Sequence, residues 1–203
     1  MKKKIAVFFL AALLLIVWAF AVWKTNVKAE KPTTETYSMQ DTVAYGKDYF
    51  RRSDNILDGY TGTVLSAEIV PYEEYAQMQG ITLPERTTDE AGNFLYRPEY
   101  VYDVEVRFSN TDNESGAIDM FDTLLVNDDA LMLRVDADLW DCMYPQLAGS
   151  YSFRLRPNTE MVFHLPFVVE AVYSERYPAE RVQNEEMALV ISQYPVKKVI
   201  KLK

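Results

Sequence analysis

A chain of 203 residues that is 49% apolar and 13% aromatic has material for a real core, which excludes a disordered tail. All thirty acidic residues follow position 29, with only sixteen of the twenty-one basic ones, so that part carries a net charge of −14. Such a surface repels nucleic acid and anionic lipid, which excludes nucleic acid as a partner; its plainest meaning is solubility. The single cysteine, Cys142, excludes an internal disulfide.

Residues 5–23 are nineteen apolar residues without a charge, Gly or Pro. As a helix they span about 28 Å, close to a hydrocarbon core of about 30 Å. A signal-peptide core is shorter, so the run reads as a retained anchor. Lys2, Lys3 and Lys4 precede it densely, Lys24, Lys28 and Lys31 follow it sparsely, and Trp18 and Trp23 stand toward its distal end. This pattern predicts residues 1–4 as a cytoplasmic N-terminus and 5–23 as a transmembrane signal-anchor. The membrane, through residues 5–23, is then the first predicted partner. Two small-x-small sites, Ala19-Phe20-Ala21 and Val27-Lys28-Ala29, keep open the alternative of a cleaved, secreted protein. No cysteine follows the run for lipid attachment and no sorting tail closes the chain, so the run is expected to be its one attachment.

Residues 24–55 read as a linker and domain lead-in, with Lys31-Pro32-Thr33-Thr34 leaving the membrane and Tyr45, Tyr49 and Phe50 touching the domain. Residues 56–203 read as one extracytoplasmic domain. Tyr60 to Val70 predicts a strand, with Val64, Ser66 and Glu68 on one face and Leu65, Ala67 and Ile69 on the other. Pro71 to Gly80 predicts a short helix, because Pro suits a first turn, Glu73 and Glu74 follow it, and Gly80 suits the stop. Residues 82–97 predict an exposed loop. Within it Leu83-Pro84-Glu85-Arg86-Thr87 fails as a sortase signal, because the Thr stands one place late.

Glu99 to Asn110 is the cleanest strand. Tyr102, Val104, Val106 and Phe108 point to a core; Asp103, Glu105, Arg107 and Ser109 point to water. Asn110 to Gly116 is a turn. Met120 to Val126 and Leu131 to Val135 predict strands around Asn127-Asp128-Asp129, and Asp136 caps a helical turn ending near Tyr144. Tyr151 to Leu155, Met161 to Phe167, Ala188 to Gln193 and Val196 to Leu202 complete about eight short strands without strand–helix alternation. The fold expected is all-β: an antiparallel immunoglobulin-like β-sandwich with a short helix, behind an N-terminal transmembrane helix.

Three stretches, Val101 to Asn110 (VYDVEVRFSN), Phe153 to Val168 (FRLRPNTEMVFHLPFV) and Leu189 to Leu202 (LVISQYPVKKVIKL), resemble uncharacterised extracytoplasmic domains of Gram-positive bacteria. Those domains belong to the immunoglobulin-like, telokin-like class. The resemblance covers most of residues 57–203 and implies a membrane-proximal or secreted binding-type module of unknown role. It carries no catalytic residues with it.

Chemistry-bearing constellations are few. His164, the single histidine, would serve any Ser-His-Asp or Cys-His mechanism, yet it falls on the outer face of an alternating strand and no G-x-S-x-G elbow exists. Cys142, beside Leu139 and Trp140, reads as a buried thiol. One histidine and one cysteine argue against zinc. The acidic turns at 110–115 and 127–129, with Asp136, Asp138 and Asp141, offer oxygens to calcium. The first fails the EF-hand pattern, with Ser115 at the required Gly and Phe121 at the bidentate Glu. Tyr72, Tyr75, Tyr96, Tyr100 and Tyr102 read as packing aromatics that could also form a recognition surface. No catalytic, cofactor-binding or metal-ligating residue is therefore assigned, and no cofactor is expected. The expected function is a non-catalytic, anchored binding or assembly module for an unknown protein or cell-surface ligand. An exported carboxylate-dependent hydrolase and an accessory subunit of a membrane transport or export complex are the alternatives.

Overall fold

A computed structural model describes residues 2–28, 33–51, 54, 56–83, 88–93, 95–128 and 130–203; within the first segment side chains are described from residue 11 to 27. The chain divides into two units, Met1–Pro32 and Thr33–Lys203. The first unit is one helix, α1 (Lys2–Lys28). Its described large apolar side chains, among them Leu13, Leu14, Ile16, Trp18, Phe20 and Trp23, are exposed. Among the described residues no helix is long and apolar enough to cross a membrane. Within the apolar run 5–23, side chains are described only from residue 11 onward.

The second unit contains β1 (Thr33–Ser38), β2 (Val43–Gly46), β3 (Leu57–Pro71), α2 (Tyr72–Met78), β4 (Tyr100–Asn110), β5 (Ile118–Asp119), β6 (Leu124–Val126), β7 (Met132–Arg134), α3 (Ala137–Met143), β8 (Ser152–Phe153), β9 (Thr159–Val168), α4 (Ala171–Ser174), α5 (Ala179–Asn184), β10 (Ala188–Ser192) and β11 (Val196–Lys201). One sheet has the order β1-β11-β10-β6-β7, the other β2-β3-β4-β9, and β5 pairs with β8. All pairings are antiparallel except β1 with β11. One hydrophobic core takes Leu125, Leu133, Leu189, Ile191 and Ile200 from the first sheet and Val64, Val104, Val106, Phe108, Phe163, Leu165 and Phe167 from the second. Two sheets sharing one core form a sandwich, as the alternation along β4 and β9 requires. The antiparallel β-sandwich expected from the sequence is present.

A smaller cluster lies on the other side of the four-stranded sheet. Val70, Tyr75, Val101 and Leu139 form it, with Tyr72, Ile81, Met143 and Val168 packed around them. α2 and α3 therefore make a partial third layer. α2 starts at Pro71, carries Glu73 and Glu74 in its first turn, and ends where Gly80 turns at φ +67°. α3 is capped by Asp136, whose carboxylate accepts from the Leu139 amide at 2.9 Å.

Several expectations change. The stretch 24–55, read as linker and lead-in, contains β1 and β2, and β2 is buried at Val43 and Tyr45. Thr33 and Thr34 belong to β1, while Lys31 and Pro32 lie outside the described residues. β1 escaped notice because TTETYS has the polar composition of a linker; its backbone pairing with β11 holds it. In β3 the predicted faces do not hold. Val64 faces Val106 and Ser66 faces Glu105, so Leu65 is the extra residue of a β-bulge. The bulge keeps Val64 in the core yet sends Ser66 and Glu68 outward. The strand expected over 120–126 begins as a 3-10 turn, Met120–Asp122, because the Asp119 carboxylate accepts from the Phe121 amide. α4 and α5 lie between β9 and β10, in a stretch to which the sequence reading assigned no element. Cys142, expected buried, is exposed: Leu139 and Trp140 take the inner positions of α3 and leave it on the outer side. Of the Leu83-to-Thr87 stretch, residues 84–87 lie outside the described residues, as does Asp129.

Candidate functional site

The outer face of the four-stranded sheet is where the chain concentrates polar chemistry. Register sets two rows across β3, β4 and β9. One is Ser66, Glu105 and His164; the next is Glu68, Asp103 and Pro166. Pro166 has no polar side-chain atom, so Asp103 turns diagonally to the neighbouring row. Its Oδ2 lies 2.6 Å from His164 Nδ1. Diagonal neighbours in an antiparallel pair are within reach of long side chains.

Helix α2 closes the pair from above. The Tyr75 hydroxyl donates to Asp103 Oδ1 at 3.0 Å and also approaches Met143 Sδ of α3 at 3.5 Å. Asp103 is only 3% exposed. The sequence placed it on a watery face, and the face does point outward, but the helical layer covers it. On the far side of the ring, His164 Nε2 is 3.9 Å from Glu105 Oε1, and Ser66 Oγ donates to Glu105 Oε2 at 3.1 Å.

β9 has β4 on one side only, and its other edge is closed by the segment carrying α3. Val135 bridges to Phe167, and the Asp136 amide donates to the Pro166 carbonyl at 2.7 Å. Tyr144 completes the closure. Its hydroxyl accepts from the His164 amide at 2.8 Å and donates to the His164 carbonyl at 3.4 Å. The edge-facing amide and carbonyl of His164 are thus both satisfied by one side chain.

The electrostatics follow from these contacts. The hydrogen bond to Asp103 raises the affinity of His164 for its proton; partial burial opposes this, and the charges of Asp103, Glu105 and Glu68 add to the rise. The Tyr75 hydroxyl is held protonated far above its ordinary range by burial first and by Asp103 next. Burial likewise pushes Tyr144 up to about 12. The arrangement favours the protonated form of the imidazole ring relative to a free histidine. It resembles the orienting half of a catalytic triad. The group nearest Nε2, however, is the Glu105 carboxylate at 3.9 Å rather than a hydroxyl or thiol nucleophile.

The remaining sequence candidates are dispersed. In the turn after β4, Asn113 uses its side-chain oxygen to accept from the amides of Ser115 (2.9 Å) and Gly116 (2.6 Å), and its amide nitrogen donates to the carbonyls of Ile56 (2.9 Å) and Asp58 (2.6 Å). Asn110 likewise accepts from the Asn113 amide at 2.8 Å. Asn127 accepts from the Leu131 amide at 2.9 Å. Asp136 caps α3, and Asp141 accepts from the Gly149 amide at 3.0 Å and the Tyr151 hydroxyl at 3.3 Å. These oxygens serve local backbone. Among the described residues no group of three or more His, Cys, Asp or Glu side chains is placed to hold a metal ion. Of the tyrosines, Tyr75, Tyr100 and Tyr102 are buried and Tyr72 is half-buried; Tyr96 is exposed yet its hydroxyl bonds the Val169 carbonyl. Packing is their main role.

Two open recesses stand elsewhere. One, of about 290 Å³, is lined by Asp119, Asp122, Ser152 and Arg154 among others. Arg51 spans Asp122 (2.5 Å) and Asp119 (3.6 Å) near it. The other, of about 270 Å³, lies over β1, β11, β10 and the end of β6.

A two-sheet sandwich with a helical layer on one sheet, and a carboxylate–histidine pair beneath that layer, defines a β-sandwich protein. The chain belongs to the family described as a domain of unknown function, DUF5028, whose profile matches residues 34–198. That match starts at β1, in agreement with the strands found there. No curated protein matches the chain. Three solved structures are distantly similar. The yjhA protein of Bacillus subtilis is 11% identical with a TM-score of 0.41, over 82% of this chain and 99% of its own. An uncharacterized beta-sandwich protein of Clostridium difficile is 11% identical with a TM-score of 0.42, over 87% and 99%. A conserved hypothetical protein of Bacillus anthracis is 15% identical with a TM-score of 0.38, over 80% and 96%.

Proposed function

We propose that this protein is a membrane-anchored, extracytoplasmic module that binds or assembles with a protein or surface ligand and performs no catalysis. The observation that carries the reading is the run 5–23 ahead of a β-sandwich: nineteen apolar residues with no polar face, which in water would have nothing to pack against. The three lysines before it favour a cytoplasmic N-terminus. The non-catalytic part is supported by His164, whose Nε2 faces a carboxylate. The two open recesses lie on other parts of the surface. The resemblance to extracytoplasmic domains of Gram-positive bacteria points the same way. In this reading the helix fixes the domain at the membrane, and loops and sheet edges meet the partner.

Cys142 supplies a direct test. It is the sole cysteine and it is exposed on α3. A membrane-impermeant maleimide applied to intact cells should label it, and the labelled chain should keep its full length. Labelling that appears only after lysis would refute the orientation. A mature chain beginning at Val22 or Glu30 would refute the anchor and leave a secreted protein.

A further inference from the structure

Helix α2 rests on the four-stranded sheet through an apolar cluster and one buried side-chain tie; at its first turn the Tyr72 amide also donates to the Glu99 carbonyl at 3.0 Å, and Glu73 pairs with Arg97 at 3.4 Å near the surface. The cluster is Val70, Tyr75, Val101 and Leu139 with Tyr72, Ile81, Met143 and Val168 around it. The tie is the Tyr75 hydroxyl on Asp103, and Asp103 is in turn held by His164. α3 is fastened differently. Its Trp140 is fully buried in the main core and lies against Phe163, with ring centroids 5.6 Å apart, and Tyr144 bonds the backbone of β9.

From this geometry we infer that α2 is a pH-responsive flap, latched by the His164–Asp103 pair and released from the sheet when the ring loses its proton. The groups facing the ring are Asp103 and Glu105 from β4, Glu68 from β3, Tyr75 from α2, and Tyr144 from the segment after α3. The three charged members are all carboxylates. A protonated ring sits among them as their counter-ion and makes a charge-assisted bond to the buried one. A neutral ring still donates to Asp103 but leaves the three like charges together, one of them desolvated. Helix α2, through Tyr75, is what keeps water from Asp103, so lifting it off the sheet hydrates the uncompensated charge and the strain is relieved by release of α2. α3 hangs on Trp140 and on a backbone contact of Tyr144, and neither titrates in the range where the ring does.

The sign follows from linkage. His164 holds its proton more tightly in the folded chain than free in water, so its stabilisation is whole below its ordinary pKa of about 6.5 and vanishes as pH rises through the raised value. Between those two values the opening constant of α2 climbs by up to about tenfold per pH unit.

Amide hydrogen exchange on the full-length chain in a mild detergent tests this, read as protection factors corrected for intrinsic exchange from about pH 5.5 to about pH 9. Protection across residues 72–78 should fall with rising pH, while residues 137–143 stay protected. The fall should level off where the imidazole resonances of the folded chain titrate, and a single histidine makes those resonances unambiguous. His164→Asn keeps an amide donor near the Nδ1 position and cannot titrate, so its α2 protection should be flat. Flat protection in the unmodified chain would overturn the proposal, and so would a slope that persists in His164→Asn. If that variant fails to fold, α2 release that continues to climb more than about one pH unit above the ring's own midpoint overturns it equally.

Discussion

Replacing Tyr75 with Phe removes one oxygen from a side chain that is 1% exposed, and leaves its ring contacts with Val70, Val101 and Leu139 in place. What is lost is the 3.0 Å hydrogen bond to Asp103 and the 3.5 Å approach to Met143. Hydrogen bonds to charged groups contribute about 1.5–3 kcal/mol, and a buried acceptor left short of a partner adds to the cost. Asp103 keeps His164 as its second partner, so the lower half of that range is expected, about 1.5–2 kcal/mol. For a domain of this size that corresponds to a fall in melting temperature of roughly 3–8 °C. Urea titration followed by tryptophan fluorescence gives the free energy directly, with the midpoint shifted and the slope unchanged. A double-mutant cycle isolates the bond. In the Asp103→Asn background the same loss should cost about 0.5–1 kcal/mol, the range for a neutral pair, so the two residues should couple by about 1 kcal/mol. A coupling within about 0.3 kcal/mol of zero would mean that the hydroxyl is not tied to the carboxylate, and the account of the site would fall.

Two further substitutions test the frame around the site. Lys198 and Asp48 form a buried pair at 2.6 Å, and the ammonium also reaches the carbonyls of Ala44 (2.6 Å) and Tyr45 (3.1 Å), which ties β11 to β2. Lys198→Met should cost about 3–5 kcal/mol by stranding Asp48, and Lys198→Met combined with Asp48→Leu should recover much of that in the same urea titration. A Cβ at Gly116 would meet the backbone carbonyl of Ile56, which cannot swing aside. Gly116→Ala should therefore destabilise by about 1–3 kcal/mol, and an unchanged thermal midpoint would show that the turn after β4 is looser than its hydrogen bonds imply.

The strands with clean alternation were legible because a period of two leaves little freedom. β4 and β9 lie where Glu99 to Asn110 and Met161 to Phe167 placed them, and Asp136 caps α3 as expected. β1 was not legible, because nothing in TTETYS records that its backbone would pair with the last strand. The candidate site was half legible. His164 was singled out as the lone histidine on an outer face, but its partner depends on facts outside the local pattern. The bulge at Leu65, the pairing of Glu105 with His164, and the arrival of α2 over the sheet together turn Asp103 from a solvated residue into a buried one. The nearest signal was Pro166, two residues after His164: a side chain that cannot answer the carboxylate opposite it. Cys142 was misjudged for a related reason, since its helix buries Leu139 in the outer cluster and Trp140 in the main core and leaves Cys142 exposed.

The pairing of β1 with β11 has a mechanical side. The two strands run parallel over six residues, from Thr33 beside Val196 to Ser38 beside Lys201. The chain enters the domain at Thr33 and leaves it just past Lys201, so these two points are at opposite ends of the same ladder. A force that draws the two ends apart slides β1 lengthwise along β11 and strains all the bonds of the ladder together. An antiparallel pair at the same place would peel open one bond at a time. The polar strand that looked like slack in a tether is thus the element that makes this domain stiff under tension.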